Sequence, residues 1–413
     1  MKHSLECVWI LNDFPHTVNA DRVTLLFWDR HSNYAVSATV ADKQFQLSRL
    51  RAPKMLTILG LSAALAITVG SFIYGFRGNV ELGAFGLAKA SFAFMPETYP
   101  GNSTNEAQLW RKLFSIGSIS IRSYPVMNFT NVQVINELYS PESRLVRIYN
   151  PPQQDSNEVC NSRDVIIFYF SGAWVKGRVQ DNDRLLRNMA LHTGFVVVGI
   201  EYSLAPEHPY PRGFDDALYG LRWVKQNIAC YGGNPARIFV TGESAGGNLA
   251  AAVTLRNLDT RFVSVEDRVN VIGLALVYPP LAANFETESY SKYARYNGVL
   301  TKAQMMHAWS LYSGGYAIDE TDYAFQPLHA PDSLLALLPP TEIMVAEYDV
   351  LRDDSLLFAE RLRDLSVPVN LMLYNDTIHG FFGRDFSASG DSSVKLLSDR
   401  LVSLSADSRR LSQ

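Results

Sequence analysis

Cysteine is scarce in this chain. Cys7, Cys160 and Cys230 are the only three among 413 residues. That is too few for a disulfide scaffold, and the absence of any C-x-x-C pair excludes a zinc ribbon and a thioredoxin-like site. The eight histidines are scattered, with neither H-x-x-x-H nor H-x-H. A metal centre is therefore not expected, and no cofactor is called for. Positive charge is not in excess: 37 Lys and Arg stand against 41 Asp and Glu, for a net charge of -4. A protein built to hold a polyanion needs a basic face, so no nucleic-acid partner is expected. Internal repeats and low-complexity tracts are missing as well. What is present is a 47% apolar, 19% charged composition, which suits a folded core rather than a disordered chain. The length allows two or three domains, or one large α/β domain with additions.

Charge is also missing from one long run. MLTILGLSAALAITVGSFIYGF, residues 55–76, holds 22 residues without a charged side chain. As a helix it would extend about 33 Å at ~1.5 Å per residue, enough to cross a hydrocarbon core of ~30 Å. The expectation is a transmembrane signal anchor; a cleaved signal, and hence secretion, is the alternative. Lys43, Arg49, Arg51 and Lys54 precede the run, whereas only Arg77 and Lys89 follow closely. That asymmetry places the chain beyond residue 77 on the lumenal side, most simply that of the endoplasmic reticulum. The N-x-[ST] sequons at Asn102, Asn128 and Asn375 fit that side and a glycoprotein. Residues 1–54 form an N-terminal tail with no assignable structure, and 77–130 an approach segment contributing to a cap.

From residue 131 to 409 the pattern is regular. NVQVINEL (131–138) and RLVRIYNP (144–151) alternate and predict paired outer strands. DVIIFYF (164–170) and FVVVGIEY (195–202) are continuous apolar runs, as in strands buried on both faces. Helices are predicted at 181–193 and 214–229, with a turn at 231–235. RIFVTGES (237–244) is a strand running into the helix AGGNLAAAVTLRN, and VIGLALVYP, PTEIMVAEY and VPVNLMLYN continue the series. Strands alternating with helices mean a mainly parallel sheet with helices on both faces. The stretch 391–409 is polar and predicts a closing helix that frays.

Gly242-Glu243-Ser244-Ala245-Gly246 is G-x-S-x-G at the junction of a buried strand and a small-residue helix. That context is a nucleophile elbow, with the glycines keeping strand and helix clear of each other; the plain alternative is a helix start with a capping serine. A serine hydroxyl needs a base, and the base an orienting acid. Asp349 follows the strand IMVAEY directly, and His379 follows NLMLY after a short loop, in the order Ser, acid, His. Asp353 and Asp354 compete for the acid's place but fit better at the start of the next helix, where Asp caps well. The oxyanion donors are expected from the backbone N–H of Ala245 and from the loop Phe170-Ser171-Gly172-Ala173-Trp174, by Gly172 and Ala173.

These residues resemble the hormone-sensitive-lipase-like family of α/β-hydrolases, which includes arylacetamide deacetylase and microbial esterases. Four blocks carry the likeness: GESAGGN (242–248), YSLAPEHPYPRGFDDAL (202–218), EYDVLRD (347–353) and IHGF (378–381). The resemblance implies an α/β-hydrolase fold with a helical cap, and Ser244, Asp349 and His379 as the triad. The oxyanion block departs: Phe170 stands for the family's His and Ser171 for its first Gly. If Ser171 had to take a positive φ, its Cβ would be strained, and Ser171→Gly would raise kcat; if it sits at negative φ and its hydroxyl orders the loop, Gly would lower kcat. The implied activity is a serine hydrolase cleaving small apolar carboxylic esters through an acyl-enzyme. An amidase or deacetylase on the same triad, and a non-enzymatic membrane-tethered binding protein, are the alternatives. Residues 283–325, which hold Tyr290, Tyr293, Tyr296, Trp309, Tyr312 and Tyr316, predict a cap insertion lining an apolar pocket, although most of these aromatics could simply pack it onto the body.

Overall fold

A computed structural model describes residues 22–29, 34–41, 44–47, 132–138, 144–152, 163–294, 300–384, 387 and 389–411. The chain divides into two units, residues 1–90 and 91–413. In the first, β1 (Arg22–Asp29), β2 (Tyr34–Ala41) and β3 (Gln44–Leu47) form an antiparallel sheet of three strands. These strands lie in the tail for which the sequence alone offers no assignable structure. Its segments RVTLLFWD and YAVSATVA are rich in β-branched and aromatic residues, but the first lacks clean alternation. The run 55–76, the segment 77–130, Asn102 and Asn128 lie outside the described residues. Among the described residues no helix is long and apolar enough to cross a membrane.

Among its described residues the second unit is built on eight strands. They are β4 (Gln133–Leu138), β5 (Leu145–Asn150), β6 (Arg163–Tyr169), β7 (Val196–Ile200), β8 (Gly233–Glu243), β9 (Val271–Val277), β10 (Thr341–Tyr348) and β11 (Val369–Ile378). The order across the sheet is β11-β10-β9-β8-β6-β7-β5-β4. All pairings from β7 to β11 are parallel, while β5 joins β7, and β4 joins β5, antiparallel. The alternating strands thus take the edge expected of them, and the apolar runs lie inside, with Val165 to Phe170 wholly buried. β8 starts earlier than its apolar core, because Gly233, in the predicted turn, pairs with Arg163.

Among the described residues the unit also carries the helices α1 (Asp183–Thr193), α2 (Arg212–Asn227), α3 (Ala245–Leu258), α4 (Glu288–Lys292), α5 (Lys302–Tyr312), α6 (Asp332–Leu335), α7 (Arg352–Asp364) and α8 (Gly390–Leu411). α1 packs with α8, and α2 with α3, as the two layers flanking the sheet. The polar α8 does not behave as a fraying end. Val394, Leu397 and Leu401 are buried, and its far end is tied to the sheet by a buried carboxylate. Asp164 takes two bonds from Arg237, at 2.7 and 3.0 Å, and one from Arg409 at 2.7 Å.

This order puts the chemistry at one edge. β6 lies between β7 and β8, so the connection after β6 runs one way and the later chain returns the other way. The carboxyl ends of β6 and β8 therefore flank a topological switch point, where open α/β sheets bind their ligands.

Candidate active site

Only one residue separates β8 from α3, and it is Ser244, at φ 55 and ψ -121. Its amide still bonds to the Val277 carbonyl at 2.9 Å, so the strand holds to its last atom. The turn is possible because the flanking residues lack a Cβ. A methyl at Gly242 would lie 2.0 Å from the Gly246 carbonyl oxygen, and one at Gly246 would lie 2.0 Å from that of Tyr169. Ser244 makes no capping bond to the helix it precedes. Its hydroxyl is directed elsewhere.

The side chains named from the sequence meet there. His379 Nε2 lies 2.9 Å from Ser244 Oγ, and its Nδ1 lies 2.7 Å from Asp349 Oδ2. All three are buried, Ser244 at 5% exposure and His379 at 8%. The second oxygen of Asp349 accepts the Leu351 amide at 3.0 Å, which fixes the carboxylate's plane. Ser244 supplies a hydroxyl, His379 a base in contact with it, and Asp349 an anion that selects the Nδ1–H tautomer.

Asp353 and Asp354 do not join this group, nor do they cap α7, whose N-cap position is Leu351. They fasten the acid loop to other segments. Asp353 accepts the Ser289 amide at 2.7 Å, and Asp354 accepts those of Leu281 at 2.7 Å and Ala282 at 3.2 Å. Burial pushes the Asp354 carboxyl up to about 7, against the pull of those two amides.

In the loop after β6 the strain is not where the sequence placed it. Ser171 is not among the non-glycine residues with positive φ; Ala173 at 55 and Trp174 at 60 are. Gly172, at φ 132, has no room for a side chain, since a Cβ would come within 2.1 Å of the Lys176 oxygen. The Gly172 carbonyl instead takes the amides of Val175 and Lys176, both at 3.1 Å. The amides of Gly172, Ala173 and Ala245 have no acceptor among the described residues. Phe170, in the family's His position, stacks on Tyr202 at 4.1 Å, and the Tyr202 hydroxyl bonds to the Phe170 carbonyl at 2.7 Å. The block 202–218 thus buttresses this loop. Ala205 N–H reaches the Trp174 carbonyl at 2.9 Å, and Asp216 holds both the amide and the hydroxyl of Ser203.

Residues 283–325 carry α4 and α5. Tyr290, Tyr293, Trp309 and Tyr312 are buried there, Tyr316 is exposed, and Tyr296 lies outside the described residues. Trp174 stacks on Tyr312 with ring centroids 4.5 Å apart and touches Trp309 at the same distance. These aromatics pack the segment onto the loop after β6, so they serve as its seat more than as a pocket lining. Among the described residues no group of acidic, His and Cys side chains could hold a metal ion.

Sequence reasoning missed a buried cluster beside the imidazole. The Tyr278 hydroxyl donates to Glu243 at 2.8 Å, and Arg384 approaches the same carboxylate at 3.3 Å. Lys176 lies in their field, and desolvation together with Arg384 pushes its ammonium down to about 7. The only available signal was Tyr278's place directly after an apolar strand.

Comparison with known proteins follows this geometry. A family model described as the alpha/beta hydrolase fold matches residues 166–383. Carboxylesterase NlhH of Mycobacterium tuberculosis is 34% identical over 239 residues, covering 57% of this chain and 70% of the relative. Arylacetamide deacetylase of Mus musculus is 29% identical over 321 residues, covering 64% and 78%. Among solved structures, a hyperthermophilic esterase from Pyrobaculum calidifontis superposes with a TM-score of 0.61 at 28% identity, over 72% of this chain and 94% of that one. An ester hydrolase from the metagenome of Lake Arreo gives 0.64 at 26% identity, over 86% and 99%.

Proposed function

The chain belongs to the α/β-hydrolase family, in its hormone-sensitive-lipase-like branch, and on that footing we propose that it is a serine hydrolase of small apolar carboxylic esters. One observation carries the reading: a single imidazole touches a serine hydroxyl on one side and a buried carboxylate on the other. Ser244 Oγ attacks the acyl carbon as its proton passes to His379 Nε2. Asp349 holds the imidazole and stabilises its charged form. The carbonyl oxygen gains negative charge and takes the N–H bonds of Gly172, Ala173 and Ala245. His379 returns the proton to the leaving alcohol, leaving an acyl-enzyme. A water then gives its proton to His379 and attacks the acyl carbon, releasing the acid and restoring Ser244. In this reading residues 131–409 form the catalytic domain, with 283–325 as its cap.

An activated serine reacts with a fluorophosphonate probe and an ordinary one does not. The expected result is labelling of the wild type at Ser244; an unlabelled, folded protein overturns the reading. Amide cleavage on the same triad has one specific support, the relative named arylacetamide deacetylase. Turnover of an aryl acetamide against the matching aryl ester decides between them. We also propose that residues 55–76 anchor the protein in a membrane, with the catalytic domain lumenal. Support comes from the uncharged run and the flanking Lys and Arg. Carbonate washing should leave full-length protein in the pellet, and its release as uncleaved protein refutes the anchor.

A further inference from the structure

β9 ends at Val277, and the next residue, Tyr278, has φ 36, a conformation that bulky side chains rarely adopt. Its amide still bonds to the Met344 carbonyl at 2.8 Å, so the sheet continues through it. The side chain is wholly buried against the site. Its ring centroid lies 4.6 Å from that of His379, with the planes tilted by 55°. Its hydroxyl donates to Glu243, the residue before Ser244, and accepts the Phe382 amide at 3.3 Å. One side chain therefore touches the base, the residue preceding the nucleophile and the loop that follows the base. Backbone held in a sparsely populated region beside a reacting group points to a role there.

We propose that Tyr278 is a positioning residue that stabilises the imidazolium of His379, formed when the Ser244 proton passes to Nε2. The proposal rests on the serine-hydrolase reading above. A cation over the face of an aromatic ring, within about 6 Å of its centroid, is attracted to it, and a neutral imidazole much less so; at 4.6 Å and a tilt of 55° the two rings are within that range. The attraction grows as the proton moves, so it acts on the transition state more than on the ground state. The bond from the phenol to the Glu243 carboxylate enriches the ring and strengthens that pull. The other charged groups around the pair come from different segments: Asp349 on His379 Nδ1, Asp354 beside Asp349, Glu243 and Arg384 behind Tyr278, and Lys176 near those two from the loop after β6. Glu243 loses the phenol's hydrogen bond in both phenyl variants alike, so the comparison between those two leaves all of these groups in common.

The test is the pH dependence of kcat/KM on a short-chain aryl ester, measured on the full chain. The wild type, Tyr278→Phe and a variant carrying pentafluorophenylalanine at 278 are compared, with fluorophosphonate labelling and melting temperature recorded for each. The two phenyl rings have nearly the same shape and opposite quadrupoles. The acid limb is expected to fall by about half a unit or more from phenyl to pentafluorophenyl, the size of an ordinary cation–ring attraction. kcat should fall with it while KM stays within about twofold, as loss of a bond made only in the transition state requires. Identical acid limbs in these two variants overturn the proposal, whatever their common loss of activity relative to wild type. A wild type that does not label overturns the functional reading instead, so the two failures are distinct.

Discussion

At the scale of single residues, Ser244 carries the plainest expectation. Ser244→Ala removes the hydroxyl and leaves the elbow glycines in place, so the fold should persist. Turnover of an aryl ester should drop by roughly 10⁴–10⁶-fold, as when a triad member is lost. More than a tenth of the activity remaining would exclude Ser244 as the nucleophile. The loop after β6 gives a second expectation that reverses the one drawn from sequence. Ser171 lies outside the left-handed region, so Ser171→Gly relieves nothing and should leave kcat at or below the wild-type value. The strain sits on Ala173, at φ 55. A left-handed non-glycine residue costs about 1–2 kcal/mol, and glycine gives back some 0.5–1 in chain entropy. Ala173→Gly should therefore raise stability by about 0.5–1 kcal/mol, read from the urea midpoint. An unchanged or lower midpoint would mean that the loop's contacts, through Trp174, outweigh its dihedrals.

Among elements, the docking of α8 is the most exposed to a single change. Asp164 has no solvent exposure and faces Arg237, which is 13% exposed, and Arg409 from the far end of α8. Ser405 bonds to the same carboxylate. Removing one partner of a buried pair leaves the other uncompensated, at a cost of about 3–5 kcal/mol. Asp164→Ala should destabilise the protein by that amount in chemical denaturation, and Arg409→Ala by much less, because Arg409 is half exposed. Equal small effects would show that α8 is held by Val394, Leu397 and Leu401 alone. The cap is tied by a different device. Asp353 and Arg352, in the first turn of α7, grip Ser289 and the Tyr293 hydroxyl, so the acid loop and α4 share their bonds.

For the molecule as a whole, buried Asp354 and half-buried Lys176 contribute to the response to pH. Asp354 titrates at about 7 in the folded state, against roughly 3.9 in an unfolded chain. The folded protein holds the extra proton in that interval, so this contribution to stability is lost as pH rises from ~4 to ~7. Lys176 titrates at about 7, against roughly 10.4 unfolded, so its contribution is lost as pH falls from ~10 to ~7. The two costs overlap near neutrality. Asparagine at 354 can still accept the amides of Leu281 and Ala282 without ever becoming charged. The melting temperature of Asp354→Asn relative to wild type should therefore be higher at pH 8 than at pH 5, with each kcal/mol worth about 2–4 °C. A difference that does not change with pH would mean that Asp354 is ionised throughout.

The sequence by itself determined the parallel sheet, its buried strands and the four blocks of the site, because those signals are local. A continuous apolar run such as Val165 to Phe170 needs two covered faces. G-x-S-x-G between strand and helix needs glycines where backbone meets backbone. An acid and a His directly after late strands share the edge at which Ser244 emerges. Other features depend on parts of the chain distant in sequence, and only the tertiary structure decided them. Polar α8 is held by Asp164, more than two hundred residues earlier. Asp353 and Asp354 look like helix caps until Ser289, Leu281 and Ala282 arrive to take their bonds. Ser171 escapes strain because the glycine beside it makes the turn and Tyr202 fixes the Phe170 carbonyl. Tyr278 has no motif at all. Its place against His379 and Glu243 exists only once β8, β9 and the loop after β11 lie side by side, a matter of strand order that no stretch of sequence contains.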